Sequence, residues 1–538
     1  MFEVGKDIYA YGGRVARMRD TERSRLHIVH VCISLLLAVF FVKTLYYGCM
    51  GTNKSGKADL GGDWTITRAD IEDRNGVKLA KNVVSGHIMV RPTAVKDIDA
   101  VAAKIHEVFP YKYSVNQAYQ ILKNKKFMYL KQYATEDERQ QIKAARLPGL
   151  EIETKQMRRY PKHNLFAHVV GFVGKEGEGL EGAEKIFDSY LRENKDPLRL
   201  SLDARIQEQF HTRLSEAMQK YHAKGAMGLL MNSRTGEMLA MVSLPDYDPE
   251  NVGAYAVANR RFKPMRDVLE MGSVFKIFNT ALAYENGIGG RYYVAKPYIL
   301  RTRSGKYIHT FHDVQKMKKD WMNVDDVMVH SCNVGSVQIA LQFPDGAQGE
   351  FFHRLHLDEK LDLDFGKTEQ SIFPKKWGIT DVASASFGHT VAVTPMHLLL
   401  GVNAVTNGGI YINPTIRKRD VGRIQGSRVL SEEISAKLRE NMVRVVEETS
   451  GKLTRINGIK IGGKTGTAEK RGHGGIDKQR NMTTFVGIFP AEAPQYIIMV
   501  NLDEPQGLAE TGGWRTASQN SVPTAGKILD GILPLLFE

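Results

Sequence analysis

With 538 residues, 42% of them hydrophobic and 25% charged, the chain has the size for two or three domains and the composition of a globular protein. Its 74 basic and 60 acidic residues leave a net charge of +14, a field that favours anionic partners; nucleic acid is set aside, because neither zinc-finger spacing nor an aromatic-and-basic signature is found. The three cysteines, Cys32, Cys49 and Cys332, are too few for a disulfide framework and lack metal-ligand spacing.

The first element in chain order is the apolar run "LHIVHVCISLLLAVFFVKTL", Leu26 to Leu45, long enough to cross a bilayer, and a transmembrane anchor over residues 26–48 is expected. Ahead of it, Lys6, Arg14, Arg17, Arg19, Arg23 and Arg25 outnumber Glu3, Asp7, Asp20 and Glu22, which orients the 1–25 tail into the cytoplasm. No small-residue cleavage site follows the run, and bulky tyrosines precede Cys49 where a lipoprotein signal needs small residues, so the anchor is read as uncleaved. With no second long apolar run the chain is single-pass, and the residues beyond the glycine-bearing tether "GTNKSGKADLGGDW" lie outside the cytoplasm.

In the segment 49–199 short strand and helix patterns alternate, for instance "NVVSGHIMV" and then "SVNQAYQILKNKK", as in a mixed, elongated domain. From Leu200 to the end the character changes. "AMGLLMN", "SRTG" and "EMLAMVSLP" make a hairpin, and a helix begins at "SVFKIFNTALAYENG" with Ser273 near its start and Gly287 as its stop. Ser331-Cys332-Asn333 falls on a loop before the helix "NVGSVQIALQF". "IKIGGKTGTA", "TTFVGIFPA" and "QYIIMVNLDEP" read as successive strands and "TAGKILDGILPLL" as a closing amphipathic helix, which together give a sheet covered by helices.

The stretch from Gly458 to Lys470 fits two incompatible templates. Gly458, Gly463, Lys464 and Thr465 satisfy the phosphate-loop spacing, while Lys464-Thr465-Gly466 is the K-T-G of acyl-transfer sites. A phosphate loop needs a helix directly after its lysine, because that helix supplies the backbone donors. Here Ile459 and Ile461 make the supposed loop a strand, and Gly466 followed by "KRGHGG" breaks any helix, so the nucleotide reading is rejected.

The acyl-transfer reading requires partners, and the chain holds them. Ser273-Val274-Phe275-Lys276 is the only S-x-x-K; spaced three apart at a helix start, hydroxyl and amine face the same way. Ser331 and Asn333 add a second hydroxyl and an amide. Each triplet alone is weak: Ser518-Gln519-Asn520 and Lys54-Ser55-Gly56 are decoys on the wrong side of their partners. The order Ser-Lys, Ser-Asn, Lys-Thr-Gly, each in a fitting setting, is the specific signal.

At these residues the sequence resembles the class B penicillin-binding proteins, peptidoglycan D,D-transpeptidases, over almost everything after the anchor. "DRNGVKLA", "MRRYPKHNLFAHVVGFVG" and "GLEGAEKIFDSYL" resemble the family's N-terminal pedestal, and "LSLDARIQ", "RTGEMLAMVSLPDYDPEN" and "FVGIFPA" follow in family order. The resemblance implies an α+β fold: a penicillin-binding/β-lactamase-like transpeptidase domain, antiparallel sheet flanked by helices, over 200–538, behind a dimerisation-like pedestal over 49–199. No glycosyltransferase motif is found, and "NLDEPQG" resembles the cell-division members more than the elongation members. Three departures stand out: Met271 where a proline is common, "GHT" (Gly388 to Thr390) in place of Gly-x-Gly, and Cys332 as the middle residue of its triad. Thr390 is expected to alter a glycine-dependent turn.

The resemblance makes Ser273 the nucleophile and uncharged Lys276 its base, with burial and the charge of Lys464 lowering the amine's proton affinity. It gives Ser331 a proton relay to the leaving amine and Asn333 the holding of Lys276 and the donor peptide; Lys464, Thr465 and Thr467 bind the substrate carboxylate, and Gly466 allows close approach of the strand. The oxyanion hole uses the backbone N–H groups of Ser273 and Thr467. Cys332 is read as small buried packing. The spacings His309-x-x-His312 and His353-x-x-His356 lack an acidic or cysteine partner set, so neither metal nor cofactor is expected. "KRGHGGIDKQRNM" is either a mobile loop over the cleft or a solvated turn.

The implied function is cross-linking of peptidoglycan stem peptides in septal wall synthesis, with β-lactams as covalent inhibitors. The implied location is the inner membrane, with the catalytic domain periplasmic. A membrane glycan polymerase and division proteins are the expected partners. Alternatives that stay open are an elongation-type transpeptidase and a penicillin-acylated sensor or scaffold; the long pedestal argues against a D,D-carboxypeptidase or β-lactamase.

Overall fold

The computed structural model describes residues 31–35, 37–38, 68–419, 424, 426–449, 454, 458–472 and 475–537. Residues 31–35 and 37–38 are helical, and no helix among the described residues is long and apolar enough to cross a membrane. The rest of the anchor expected over 26–48, the 1–25 tail and the tether lie outside the described residues.

The N-terminal part is built on strands β1 (Ile71–Glu72), β2 (Lys78–Val90), β3 (Met128–Ala134), β4 (Leu150–Arg159) and β5 (Leu198–Arg199), with helices α1 (Ile98–Val108), α2 (Val115–Lys123) and α3 (Glu136–Ala145) between them. β1 runs antiparallel to β2 and parallel to β5, and the long β2 also pairs with β3 and β4. Local chemistry sets the helix starts: Ser114 with Gln117 and Thr135 with Glu138 form capping boxes that satisfy the first free N–H groups of α2 and α3. The helices pack Val101, Ile105, Leu122 and Ile142 against Ile88 and Val90 of β2.

A buried ion network ties this part together. Glu184, 0% exposed, takes Arg68 at 2.5 Å on one carboxylate oxygen and Arg158 of β4 at 2.7 Å on the other. Removing the carboxylate takes the shared anion from two desolvated guanidinium groups, leaving Arg68 with Asp188 at 2.6 Å and Arg158 with neutral acceptors such as the Ala69 carbonyl. Glu184→Ala is therefore expected to cost about 3–5 kcal/mol in chemical denaturation.

The larger C-terminal part is centred on a five-stranded sheet. Its elements are α4 (Ala204–Lys220), β6 (Gly225–Asn232), β7 (Met238–Leu244), α5 (Lys276–Glu285), the hairpin β8 (Tyr298–Arg301) and β9 (Tyr307–Phe311), α6 (Val324–Val329), α7 (Asn333–Ala340), α8 (Pro395–Thr406), α9 (Glu432–Glu448), β10 (Gly462–Gly472), β11 (Gly475–Phe489), β12 (Tyr496–Asp503) and α10 (Ser521–Leu536). The sheet order is β10-β11-β12-β6-β7, antiparallel throughout. Because side chains alternate along a strand, a sheet covered on both faces needs a continuous apolar run. β12 shows why "YIIMV" reads that way. Ile497 and Met499 enter the core shared with Phe275, Phe278 and Leu399, whereas Ile498, Val500 and Leu502 enter the one formed by Phe210 and Leu214 of α4 with Ile528 and Ile532 of α10.

Of the segment expected as a loop or turn after the Lys-Thr-Gly strand, residues 470–472 and 475–482 instead continue the sheet, and His473 and Gly474 lie outside the described residues. β10 and β11 stay paired to Arg471↔Ile476 and Gly472↔Gly475, with a register irregularity at Glu469/Lys470. Its glycine- and charge-rich composition gives no strand pattern; cross-strand pairing and the ion pair from Lys470 to Glu504 at 3.2 Å hold it.

Candidate active site

Three stretches converge where edge strand β10 lies against the start of α5. Gly272 to Phe275 form a tight 3₁₀ turn that leads into α5, so Ser273 sits one turn ahead of a helix whose residues Lys276 to Ala283 are all buried. The turn depends on glycine. Gly272 has φ +55°, and a Cβ there would lie 2.6 Å from the Thr467 carbonyl oxygen. Gly466 has the matching role on the strand, since a Cβ would lie 2.4 Å from the Met271 carbonyl oxygen and 2.8 Å from Val274 Cγ2. Backbone cannot yield as a flexible side chain can. Gly466→Ala is expected to lower stability by about 1–3 kcal/mol and to slow acylation, read by thermal melting and by penicillin labelling.

The amine of Lys276 is 0% exposed and donates to Ser273 Oγ at 2.7 Å and to Asn333 Oδ1 at 2.7 Å. The Phe387 ring lies 5.6 Å from the same nitrogen. Asn333 is the first residue of α7, and Cys332 caps that helix, its sulfur accepting from the Gly335 N–H at 3.2 Å. Ser331 adopts φ +59°, and its Oγ accepts from Lys464 Nζ at 3.0 Å. Lys464, 1% exposed, also donates to the Thr465 carbonyl at 3.1 Å. Ser273, Lys276, Ser331, Asn333 and Lys464 are thus brought into one cluster. Thr465 and Thr467, both half-buried, alternate with Lys464 and Gly466 along the same strand. Thr467 Oγ1 accepts from the Ala517 N–H at 3.1 Å, which uses a lone pair of the hydroxyl and not its proton.

Burial governs the electrostatics. It lowers Lys276 to about 8, against a smaller opposing effect of the Asp313 carboxylate. Lys464 is held well below the usual lysine range, by burial first and then by the charge of Lys276. The expected direction holds for Lys276, with burial as its leading cause, and the two amines disfavour a second charge in the same pocket. Asp313 favours a proton on Lys276, whereas the bonds of Lys464 go to an uncharged hydroxyl and a carbonyl. Cys332 is buried and pushed up to about 12, mainly by desolvation, so its thiol stays protonated.

Of the residues that frame the cluster, Glu270 carries no sequence signal. The turn after Phe387 backs the nucleophile turn: a Cβ on Gly388 would lie 2.1 Å from the Gly272 carbonyl, and Thr390, expected to alter that turn, instead takes φ +71°, the conformation a glycine would adopt there. Glu270 accepts from the Thr390 N–H at 3.2 Å and pairs with His389 Nδ1 at 2.8 Å, which fixes the turn from below. Cys332 is more than packing, since it caps α7 and donates to Asp313 Oδ2 at 3.3 Å.

Comparison with known proteins gives two matching families: the penicillin-binding protein transpeptidase domain over residues 226–530 and the penicillin-binding protein dimerisation domain over residues 65–205. The chain is 33% identical to a probable peptidoglycan D,D-transpeptidase FtsI of Caulobacter vibrioides, over 87% of its own length and 81% of that protein. It is 28% identical to the peptidoglycan D,D-transpeptidase FtsI of Escherichia coli K12, over 87% and 84% of the two chains. A probable peptidoglycan D,D-transpeptidase PenA of Neisseria meningitidis is 27% identical over 96% and 93%.

Proposed function

This chain belongs to the penicillin-binding protein transpeptidases, and from that membership and the site we infer that it is a peptidoglycan D,D-transpeptidase working through a serine acyl-enzyme. The observation that carries the reading is the amine of Lys276, buried and shared at 2.7 Å between Ser273 Oγ and Asn333 Oδ1.

In the proposed reaction Ser273 Oγ attacks the carbonyl of the penultimate D-alanine of a donor stem peptide, and Lys276, uncharged, takes the hydroxyl proton. The oxyanion faces the N–H groups of Ser273 and Thr467, donors typically worth about 3–4 kcal/mol each. Collapse breaks the peptide bond; the terminal D-alanine leaves as an amine after receiving a proton by way of Ser331. An acceptor amine then attacks the ester, its proton returns through the same groups, and Ser273 regains its hydroxyl. Thr465, Thr467 and Lys464 hold the donor's terminal carboxylate. Its arrival stabilises an ammonium on Lys464, and that charge in turn disfavours one on Lys276, so substrate binding itself keeps the base neutral. A β-lactam enters the same path, but its leaving nitrogen stays tethered to the acyl group.

The septal assignment rests on "NLDEPQG" and on likeness to proteins named FtsI. We place the enzyme in the inner membrane through the 26–48 anchor, catalytic part outside, beside a membrane glycan polymerase and division proteins. Transfer of a stem-peptide acyl group from a thioester donor to an amine acceptor by the purified protein tests the activity. A cross-linked product supports it; hydrolysis without transfer points to a carboxypeptidase, and absence of any acylation points to a scaffold. Normal septal localisation after exchange of the anchor and deletion of the pedestal counts against the partner assignment.

A further inference from the structure

We propose that Asp313 is a positioning residue for acyl transfer: from the loop after β9 it grips the start of α7 and so fixes the side chain of Asn333, which holds the Lys276 amine. The proposal rests on the transpeptidase reading of the site.

Asp313 Oδ1 accepts from the backbone N–H of Asn333 and, at 3.4 Å, from that of Val334, while Oδ2 accepts from the Cys332 thiol at 3.3 Å. One carboxylate therefore engages three successive residues at the N-terminus of an eight-residue helix, where negative charge is favoured. The neighbouring His312 supplies the other half of the grip. Its carbonyl accepts from Asn333 Nδ2 at 3.1 Å. That bond settles the amide orientation, because a flipped amide would set Oδ1 against the carbonyl and present an N–H donor to the amine of Lys276. With Nδ2 committed to His312, Oδ1 must face Lys276, as its 2.7 Å bond shows.

The loop acts on the base in two separable ways. Through the α7 backbone it places Oδ1, and through its charge it favours the protonated form of Lys276, against the burial that lowers it. The other groups facing the Lys276 amine are Ser273 on its own turn, Asn333 and the protonated Cys332 at α7, the ring of Phe387, and Lys464 with Ser331 on the β10 side. Asp313 is the carboxylate in this set.

The test measures acylation of the full-length protein by a chromogenic or fluorescent penicillin across pH for wild type, D313N and D313A, with thermal melting as a check of folding. D313N keeps a carbonyl oxygen for the Asn333 N–H but loses the charge. It is expected to keep more of the high-pH plateau than D313A, and its acid limb is expected to move to lower pH, so that near neutrality it retains a larger fraction of its own plateau than wild type does. D313A is expected to show the same displaced limb with the plateau reduced roughly 10- to 100-fold, the scale set by misplacing a reacting group. An unmoved limb in D313N overturns the proposal, as does a folded D313A whose plateau falls less than about tenfold; should D313A fail to fold, the D313N limb decides alone. A transpeptidase reading that is itself wrong shows differently, as wild-type protein that takes no penicillin at Ser273.

Discussion

Ser273→Ala is expected to abolish covalent labelling by penicillin and to reduce acyl transfer by a factor on the order of 10⁶, the scale on which removal of a catalytic nucleophile acts. The prediction is specific because the substitution is structurally mild. Ser273 is only partly buried, alanine is a good fit to the turn, and Lys276 keeps its second acceptor, Asn333 Oδ1, at 2.7 Å. Melting temperature is therefore expected to change little while chemistry disappears. Mass spectrometry of the penicillin-treated wild type should find the adduct on the peptide containing Ser273, and an adduct elsewhere counts against the account.

Lys276→Met carries the second large effect. Methionine fills a similar volume without a basic nitrogen, so the buried space between Ser273 and Asn333 stays occupied while the hydroxyl loses its proton acceptor. Loss of a general base is expected to slow acylation by about 10²- to 10⁴-fold. Lys276→Arg should be no better, despite conserving charge, because a guanidinium does not release its proton in the working range. A Lys276→Arg enzyme near wild-type speed would show that positive charge, rather than a neutral amine, is what the reaction needs. The assay is the rate of acylation at fixed pH, with the adduct counted by labelling.

How much of this was legible in the sequence depended on whether the signal was local. The hairpin β6–β7, the buried α5 and the strand pair β11–β12 follow from apolar runs and turn residues that act within a dozen positions. The five clustered side chains were legible through order and spacing: Ser273 and Lys276 share a helix start, and Asn333 and Lys464 come after them in the sequence required. Thr390 was marked by the sequence as a departure in a glycine-dependent turn, but the expected alteration is not found, because the threonine adopts the glycine-like φ +71°.

What the sequence hid came from contacts made only after folding. Asp313 and His312 meet α7 because the β8–β9 hairpin folds back onto that helix, and nothing near them in the chain marks them as partners of Asn333. Cys332 looked like small packing, since a thiol seldom caps a helix; its capping role appears once α7 is seen to begin at Asn333. The outer part of the β10–β11 hairpin was obscured by composition, because glycine and charge say turn while pairing from the rest of the sheet extends the strands. The effect of Asp313 on the Lys276 amine was also beyond the sequence, as it depends on a carboxylate brought near by folding.

The central claim is that an uncharged amine at Lys276 removes the proton from Ser273, and the pH dependence of wild-type acylation tests it most directly. Burial places that amine at about 8, so the neutral fraction falls tenfold for each unit of acidification below that value and saturates above it. The second-order rate of acylation by a penicillin is therefore predicted to rise with unit slope through the neutral range and to level off at mildly alkaline pH. A rate that stays flat from pH 6 to pH 9, or an identical profile in Lys276→Met, contradicts the account.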